Sequence, residues 1–208
     1  MDSSHSFSIA GAPGHPSLEA VWVGEGRRVA VVAPPHPLMG GHLSNPVVQA
    51  VAEGLASAGV RCLLFNWRGV GESDGDPSGA PEDADRDYAA ALAVAASAKP
   101  VSILSGYSFG GATAIRAAAS RGDVDVFAVA PPPVLFAEAS LAPRAGRLMV
   151  VAAARDVFAT PPDLELALRR APGARFETIA AADHFFSGGA TRQVRDLAAE
   201  FAASLGEQ

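Results

Sequence analysis

Basic side chains are scarce in this 208-residue chain: 16 Lys and Arg stand against 22 Asp and Glu, a formal net charge of -6. Lys99 is the single lysine, and the arginines are scattered rather than blocked. Such a field does not attract polyanions, which excludes a general nucleic-acid binder and a binder of anionic membranes. Cysteine is nearly absent. The lone Cys62 rules out an internal disulfide framework and any all-cysteine metal cluster. Its place in the apolar run Val60–Phe65 predicts a buried, inert thiol. No apolar run approaches the roughly 18 residues of a membrane helix. The start, MDSSHSFSIAGAPGH, lacks the basic-then-apolar pattern of a secretory leader. These absences predict a soluble, cytoplasmic protein with no membrane partner.

What is abundant is small and apolar. Hydrophobic residues make up 49% of the chain and 44 residues are alanine, so a core is available, built largely from short side chains. No repeat, low-complexity linker or composition break divides the chain, and its length suits one domain over residues 1–208.

From about Arg27 onward, strand-like runs alternate with helical stretches. Strands are predicted at Val29–Ala33, Val60–Phe65, Val101–Ser105, Asp125–Ala130, Leu148–Ala152 and Ala174–Ile179. Helices are predicted at Pro46–Ala58, Glu82–Lys99, Ala112–Ser120, Leu164–Arg170 and Thr191–Leu205. This alternation implies βαβ units and a mostly parallel central sheet with helices on both faces, an α/β fold. Phe7–Ile9 and Leu18–Val23 have no helix between them and are placed as an antiparallel pair at the sheet edge.

Gly106-Tyr107-Ser108-Phe109-Gly110 fits the pattern G-x-S-x-G. The string alone is moderate evidence; a strand running into it and an Ala-rich helix leaving it supply the strand–turn–helix setting of a nucleophile elbow. The turn holds the serine in a strained conformation, and the two glycines remove Cβ atoms where strand and helix approach. Ser108 is then exposed above the carboxyl end of the sheet. Phe109 offers a backbone N–H at a helix start, suited to a developing oxyanion.

Serine needs a base and an orienting carboxylate, and in this setting they follow it in the order Asp or Glu, then His. His5, His15, His36 and His42 all precede Ser108; His184 alone follows, in a loop between the last strand and the last helix. Among the acids after Ser108, Asp156 falls just past the carboxyl end of the Leu148–Ala152 strand. Asp163, behind Pro161–Pro162, is the rival, although it suits the start of the next helix. Asp183 reads as a solvated loop charge. A second oxyanion donor is expected from the loop after Val29–Ala33. Pro35 and Pro37 cannot donate, which leaves the N–H groups of Leu38 and Met39, with Leu38 preferred. His36 is read as an imidazole bracing that loop rather than as a zinc ligand.

These residues resemble the α/β-hydrolase superfamily, and more closely its small, lid-poor, dienelactone-hydrolase-like serine hydrolase group. The resemblance rests on Pro34–Gly75, on GYSFGG (Gly106–Gly111), on AARD (Ala153–Asp156) and on ADHFFSG (Ala182–Gly188). It implies an α/β-hydrolase fold and a Ser-His-Asp hydrolase of esters or thioesters. Ser108, Asp156 and His184 stand at its triad positions, and Phe109 and Leu38 at its oxyanion-donor positions. Dienelactone hydrolases proper carry a cysteine where this chain has Ser108. Arg68, in the loop Arg68–Ser73, is expected to brace backbone carbonyls, and Trp67 and Phe65 to pack in the core or at its rim.

A cap domain would enter between the Asp125–Ala130 strand and the next one, where only Pro131–Arg147 intervene. A substantial cap is therefore not expected. The site should be shallow and open, lined by Leu38, Met39, Tyr107, Val134, Leu135, Phe136, Phe158 and Phe185, and tolerant of small or short-acyl substrates. No cofactor or metal is implied. The leading reading is a small-molecule ester or thioester hydrolase working through an acyl-enzyme. Acyl transfer or cyclisation with the same triad, and a non-catalytic binding protein on the same fold, are the alternatives.

Overall fold

Runs of Val, Leu, Ile and Ala that are apolar on both faces require cover on both sides, and the chain builds one eight-stranded sheet from them. The computed structural model describes residues 6–10, 14–141 and 145–206. In chain order the elements are β1 (Phe7–Ile9), β2 (Leu18–Val23), β3 (Arg28–Ala33), α1 (Pro46–Ser57), β4 (Val60–Phe65), α2 (Pro81–Ala98), β5 (Val101–Tyr107) and α3 (Phe109–Ala118). There follow β6 (Asp125–Val129), β7 (Leu148–Ala153), α4 (Pro161–Leu168), β8 (Arg175–Ile179) and α5 (Ala190–Ser204). The strand order is β1-β2-β4-β3-β5-β6-β7-β8. β1 pairs with β2 and β2 with β4 antiparallel, and every other pairing is parallel. The edge hairpin and the parallel body match the sequence expectation.

The chain steps from β3 to β4 in one direction and from β4 back past β3 to β5 in the other. With both crossovers right-handed, α1 and α2 must lie on opposite faces. α1 packs on α5, and α2 on α3. The order reverses between β3 and β5, where Ala33 pairs with Gly106. The loops leaving those two strands diverge there and open a crevice. Below it, Tyr88 on α2 is fully buried; its hydroxyl accepts the Ser105 N–H at 3.1 Å and lies 3.1 Å from the Val31 carbonyl. It ties α2 to both strands that flank the crevice. Burial pushes that phenol above its ordinary range.

Between β6 and β7 the described residues form two 3-10 turns, Pro133–Leu135 and Glu138–Leu141, and no large cap. Cys62 is buried as expected, and burial pushes its thiol up to about 12. Among the described residues no helix is long and apolar enough to cross a membrane.

Arg68 departs in part from expectation. Its guanidinium reaches one backbone carbonyl, that of Asp83, from Nη2 at 3.4 Å, but its shorter bonds go to carboxylates: to Asp87 from Nε at 3.0 Å and Nη2 at 2.7 Å, and to Asp83 from Nη1 at 2.7 Å. Asp83 and Asp87 are four residues apart on α2 and share one face, which offers the arginine two acceptors at once.

Candidate active site

β5 ends at Tyr107 and α3 starts at Phe109, so Ser108 alone makes the turn. Its backbone is at φ 53°, ψ -116°, a region costly for any side-chain-bearing residue. The helix begins three residues before the Ala-rich stretch that announced it, because Gly110 and Gly111 sit in its first turn. A Cβ on Gly110 would lie 2.5 Å from the carbonyl oxygens of Ala33 and Pro34, and one on Gly106 would lie 2.4 Å from the Gly110 carbonyl carbon. Glycine is a weak helix former, but no other residue fits this close approach of helix and strands.

Three expected side chains come together. Ser108 Oγ lies 3.0 Å from His184 Nε2, and His184 Nδ1 lies 2.7 Å from Asp156 Oδ2. Residue exposures are 8%, 8% and 5%, so the chain of hydrogen bonds is shielded, with Ser108 at its accessible end. Asp156 Oδ1 accepts the N–H groups of Phe158 at 2.8 Å and Ala159 at 2.9 Å. Both oxygens are thereby used and the carboxylate is fixed in orientation. Asp163 is elsewhere: it opens α4, where its N–H and carboxylate both bond the Thr160 hydroxyl.

Burial pushes the Asp156 carboxyl up, but the His184 hydrogen bond and the two N–H donors outweigh it and hold the group below the usual carboxylate range. A group depressed in the folded state contributes stability that is complete above its unfolded value, about 3.9, and is lost as pH falls through the folded one. The melting-temperature advantage of wild type over Asp156→Asn is therefore expected to be full near pH 6 and to close as the pH is lowered below about 4. Thermal melts of both proteins across that range provide the check.

His184 is placed by its surroundings. The Tyr107 hydroxyl donates to the His184 carbonyl at 2.7 Å, and Asp183 Oδ1 accepts the Phe185 N–H at 3.1 Å and the Ser187 N–H at 3.3 Å. Asp183, expected as a solvated charge, thus folds its own loop. Phe158 stands edge-on to the imidazole at 4.9 Å. On the other side, Trp67 Nε1 donates to the carbonyl of Pro35 at 2.9 Å and also lies 3.2 Å from that of Pro34. Its ring lies edge-on to Phe109 at 5.6 Å. These contacts fix the loop after β3 against the start of α3.

That loop holds its donors differently from the sequence expectation. The Leu38 N–H donates to His36 Nδ1 at 3.2 Å, and the Met39 N–H to the His36 carbonyl at 3.0 Å. Both candidate oxyanion donors are engaged within the loop. His36 braces it as expected, and burial lowers its basicity. Phe109, as the first residue of α3, has an N–H with no intrahelical partner. Among the described residues no group of three or more His, Cys, Asp or Glu is placed to hold a metal ion.

A cavity of about 290 Å³ opens over Ser108. Met39, Tyr107, Val134, Leu135, Phe158 and Phe185 line it, as the sequence suggested. Leu38 does not, and neither does Phe136, which is buried in the core behind the Pro133–Leu135 turn. Asn45 and His36 also line it, beyond the wall residues the sequence points to. Asn45-Pro46 is a readable helix start, and Asn45 Oδ1 indeed accepts the Val47 N–H at 2.9 Å, but its position on the pocket wall is a tertiary fact.

The family model described as "Alpha/beta hydrolase family" matches residues 36–206. No curated protein matches the sequence. Among solved structures, an alpha-beta serine hydrolase homologue from Coxiella burnetii is 25% identical, with a TM-score of 0.84 over 97% of this chain and 98% of that one. A serine hydrolase without a lid from Xanthomonas campestris is 22% identical, with a TM-score of 0.85 over 99% and 96% of the two chains. A Butyrivibrio proteoclasticus protein with ferulic acid bound is 16% identical, with a TM-score of 0.83 over 95% and 98%.

Proposed function

The chain belongs to the alpha/beta hydrolase family, and from that premise we propose that it is a serine hydrolase cleaving carboxylic esters or thioesters with a small acyl group. The observation that carries the reading is the unbroken path from Ser108 Oγ through His184 to Asp156, at 3.0 and 2.7 Å. An ionised Asp156 can only accept, so it holds the His184 proton on Nδ1. Nε2 is left with its lone pair toward the Ser108 hydroxyl. Ser108 Oγ attacks the carbonyl carbon while Nε2 takes the hydroxyl proton. That proton then passes to the departing alcohol or thiol, leaving an acyl-enzyme. Water, deprotonated by the same nitrogen, attacks the acyl-enzyme, releases the acid and restores Ser108.

The tetrahedral oxygen takes its negative charge beside the start of α3, where the Phe109 N–H and the helix dipole both favour it. Leu38 is the second donor in this reading. Its N–H exchanges a neutral partner, His36 Nδ1, for a charged one, and hydrogen bonds to charged oxygen are the stronger kind.

A cavity of about 290 Å³ favours short acyl groups. With p-nitrophenyl esters, acetate and butyrate are expected to be turned over with kcat/KM at least about tenfold above dodecanoate, with free acid as the product. A preference for dodecanoate, or no turnover of any ester, contradicts the proposal.

A further inference from the structure

We propose that the alcohol side of the substrate is a large, uncharged, apolar group, which lies outside the cavity on a collar of exposed side chains around its mouth. This rests on the hydrolase reading above. Seven large hydrophobic side chains are exposed among the described residues, and six of them, Leu38, Met39, Val134, Val157, Phe158 and Phe185, belong to loops that leave β3, β6, β7 and β8. Those loops all rise from the carboxyl edge of the parallel strands, around Ser108. Four elements far apart in sequence thus present apolar surface at one place. Scattered exposed hydrophobics are ordinary in soluble proteins, whereas clustering around a pocket marks a contact surface.

The collar is continuous with the cavity: Met39, Val134, Phe158 and Phe185 belong to both. At about 290 Å³ the cavity is just below the range that encloses a drug-sized ligand, about 300–1,000 Å³. A substrate with a small acyl group inside must leave its remaining bulk on the collar. Among the described residues no Lys, Arg, Asp or Glu lines the cavity. Nothing there compensates the desolvation of a carboxylate or phosphate, so charged arms and phosphorylated thiol carriers fit poorly. An apolar collar continuous with a cavity wall that carries no countercharge matches an uncharged apolar arm.

The test is a series of primary alkyl acetates from ethyl to octyl, each kept below its aggregation limit, with acetate release as the readout. Octyl acetate is expected to exceed ethyl acetate in kcat/KM by at least about tenfold, as apolar burial adds along the chain. Val134 is 90% exposed and Val157 76%, so serine at both removes apolar surface without emptying the core. The Val134→Ser/Val157→Ser protein, checked for an unchanged melt, is expected to lower the octyl-to-ethyl ratio by at least about threefold. In a second arm, pentyl acetate is expected to outpace 5-acetoxypentanoate, whose alcohol arm ends in a carboxylate, by at least about tenfold in acetate release. A flat alkyl profile, an unchanged ratio in the variant, or equal rates for the neutral and anionic esters overturns the proposal. So does a self-association abolished by the two serines, which assigns the collar to a second copy of the chain. Loss of all ester turnover is a different failure, that of the hydrolase reading itself, and takes this inference with it.

Discussion

Ser108→Ala is expected to lower kcat/KM on a short ester by about 10⁵-fold or more, and His184→Ala by a similar factor. The two losses should not add. Once the nucleophile is gone the base has nothing to deprotonate, so the double variant should fall within about threefold of either single one. Asp156→Asn is expected to cost less, about 10⁴-fold. Its amide keeps the shape, and its oxygen can still accept from Phe158 and Ala159. An NH₂ toward His184 Nδ1 would nevertheless favour the tautomer whose proton lies on Nε2, facing Ser108. Steady-state rates of the four proteins on p-nitrophenyl acetate check the pattern. Additive losses would mean that Ser108 and His184 act independently, contrary to the 3.0 Å contact between them.

Gly110→Ala is expected to damage both stability and activity with a single methyl group. In an ordinary helix the exchange gains about 1 kcal/mol. Here the added Cβ falls 2.5 Å from two backbone oxygens, those of Ala33 and Pro34, and neither can rotate away. Accommodation requires α3 to move off the end of β3, at a cost of about 3 kcal/mol, which outweighs the propensity gain. The net loss of about 2 kcal/mol is, for a chain of this length, a fall in Tm of about 4–8 °C. Activity should fall further than the folded fraction, because Ser108, Phe109 and the loop after β3 move with the helix. Gly122→Ala is the control. A Cβ there meets nothing within 4 Å, so the melt should be unchanged or slightly higher. An unchanged melt and rate in Gly110→Ala would show that the close approach at the elbow is not needed.

Much of this architecture is legible in the chain because local and tertiary preferences agree. β4 spans Val60–Phe65 as predicted, since a β-branched and apolar run follows Gly59, which turns the chain at φ 74°. The serine and the histidine are legible for a different reason: the elbow pattern is short and local, and one histidine alone follows it. The acid needed more. Asp156 and Asp163 differ by seven residues, and the distinction came from which one follows a strand end and which one starts a helix.

The remainder depended on contacts between distant segments. α3 begins earlier than its alanines suggest, because Gly110 is chosen for the carbonyls of Ala33 and Pro34 and not for the helix. Phe136 resembles its wall-lining neighbours in type but turns into the core. The prolines around it single out Leu38, but no local pattern shows that His36 Nδ1 accepts its N–H. Arg68 found Asp83 and Asp87 on a helix that starts 13 residues later, a pairing that no local pattern encodes.

The central claim is that Ser108 is an activated nucleophile. It is tested most directly by incubating the folded protein with a fluorophosphonate and reading intact mass, followed by peptide mapping. The account predicts one adduct per chain, on Ser108, absent in Ser108→Ala and formed at least about 100-fold more slowly in His184→Ala. No adduct on the folded wild-type protein, or an adduct on another residue that survives Ser108→Ala, would contradict it.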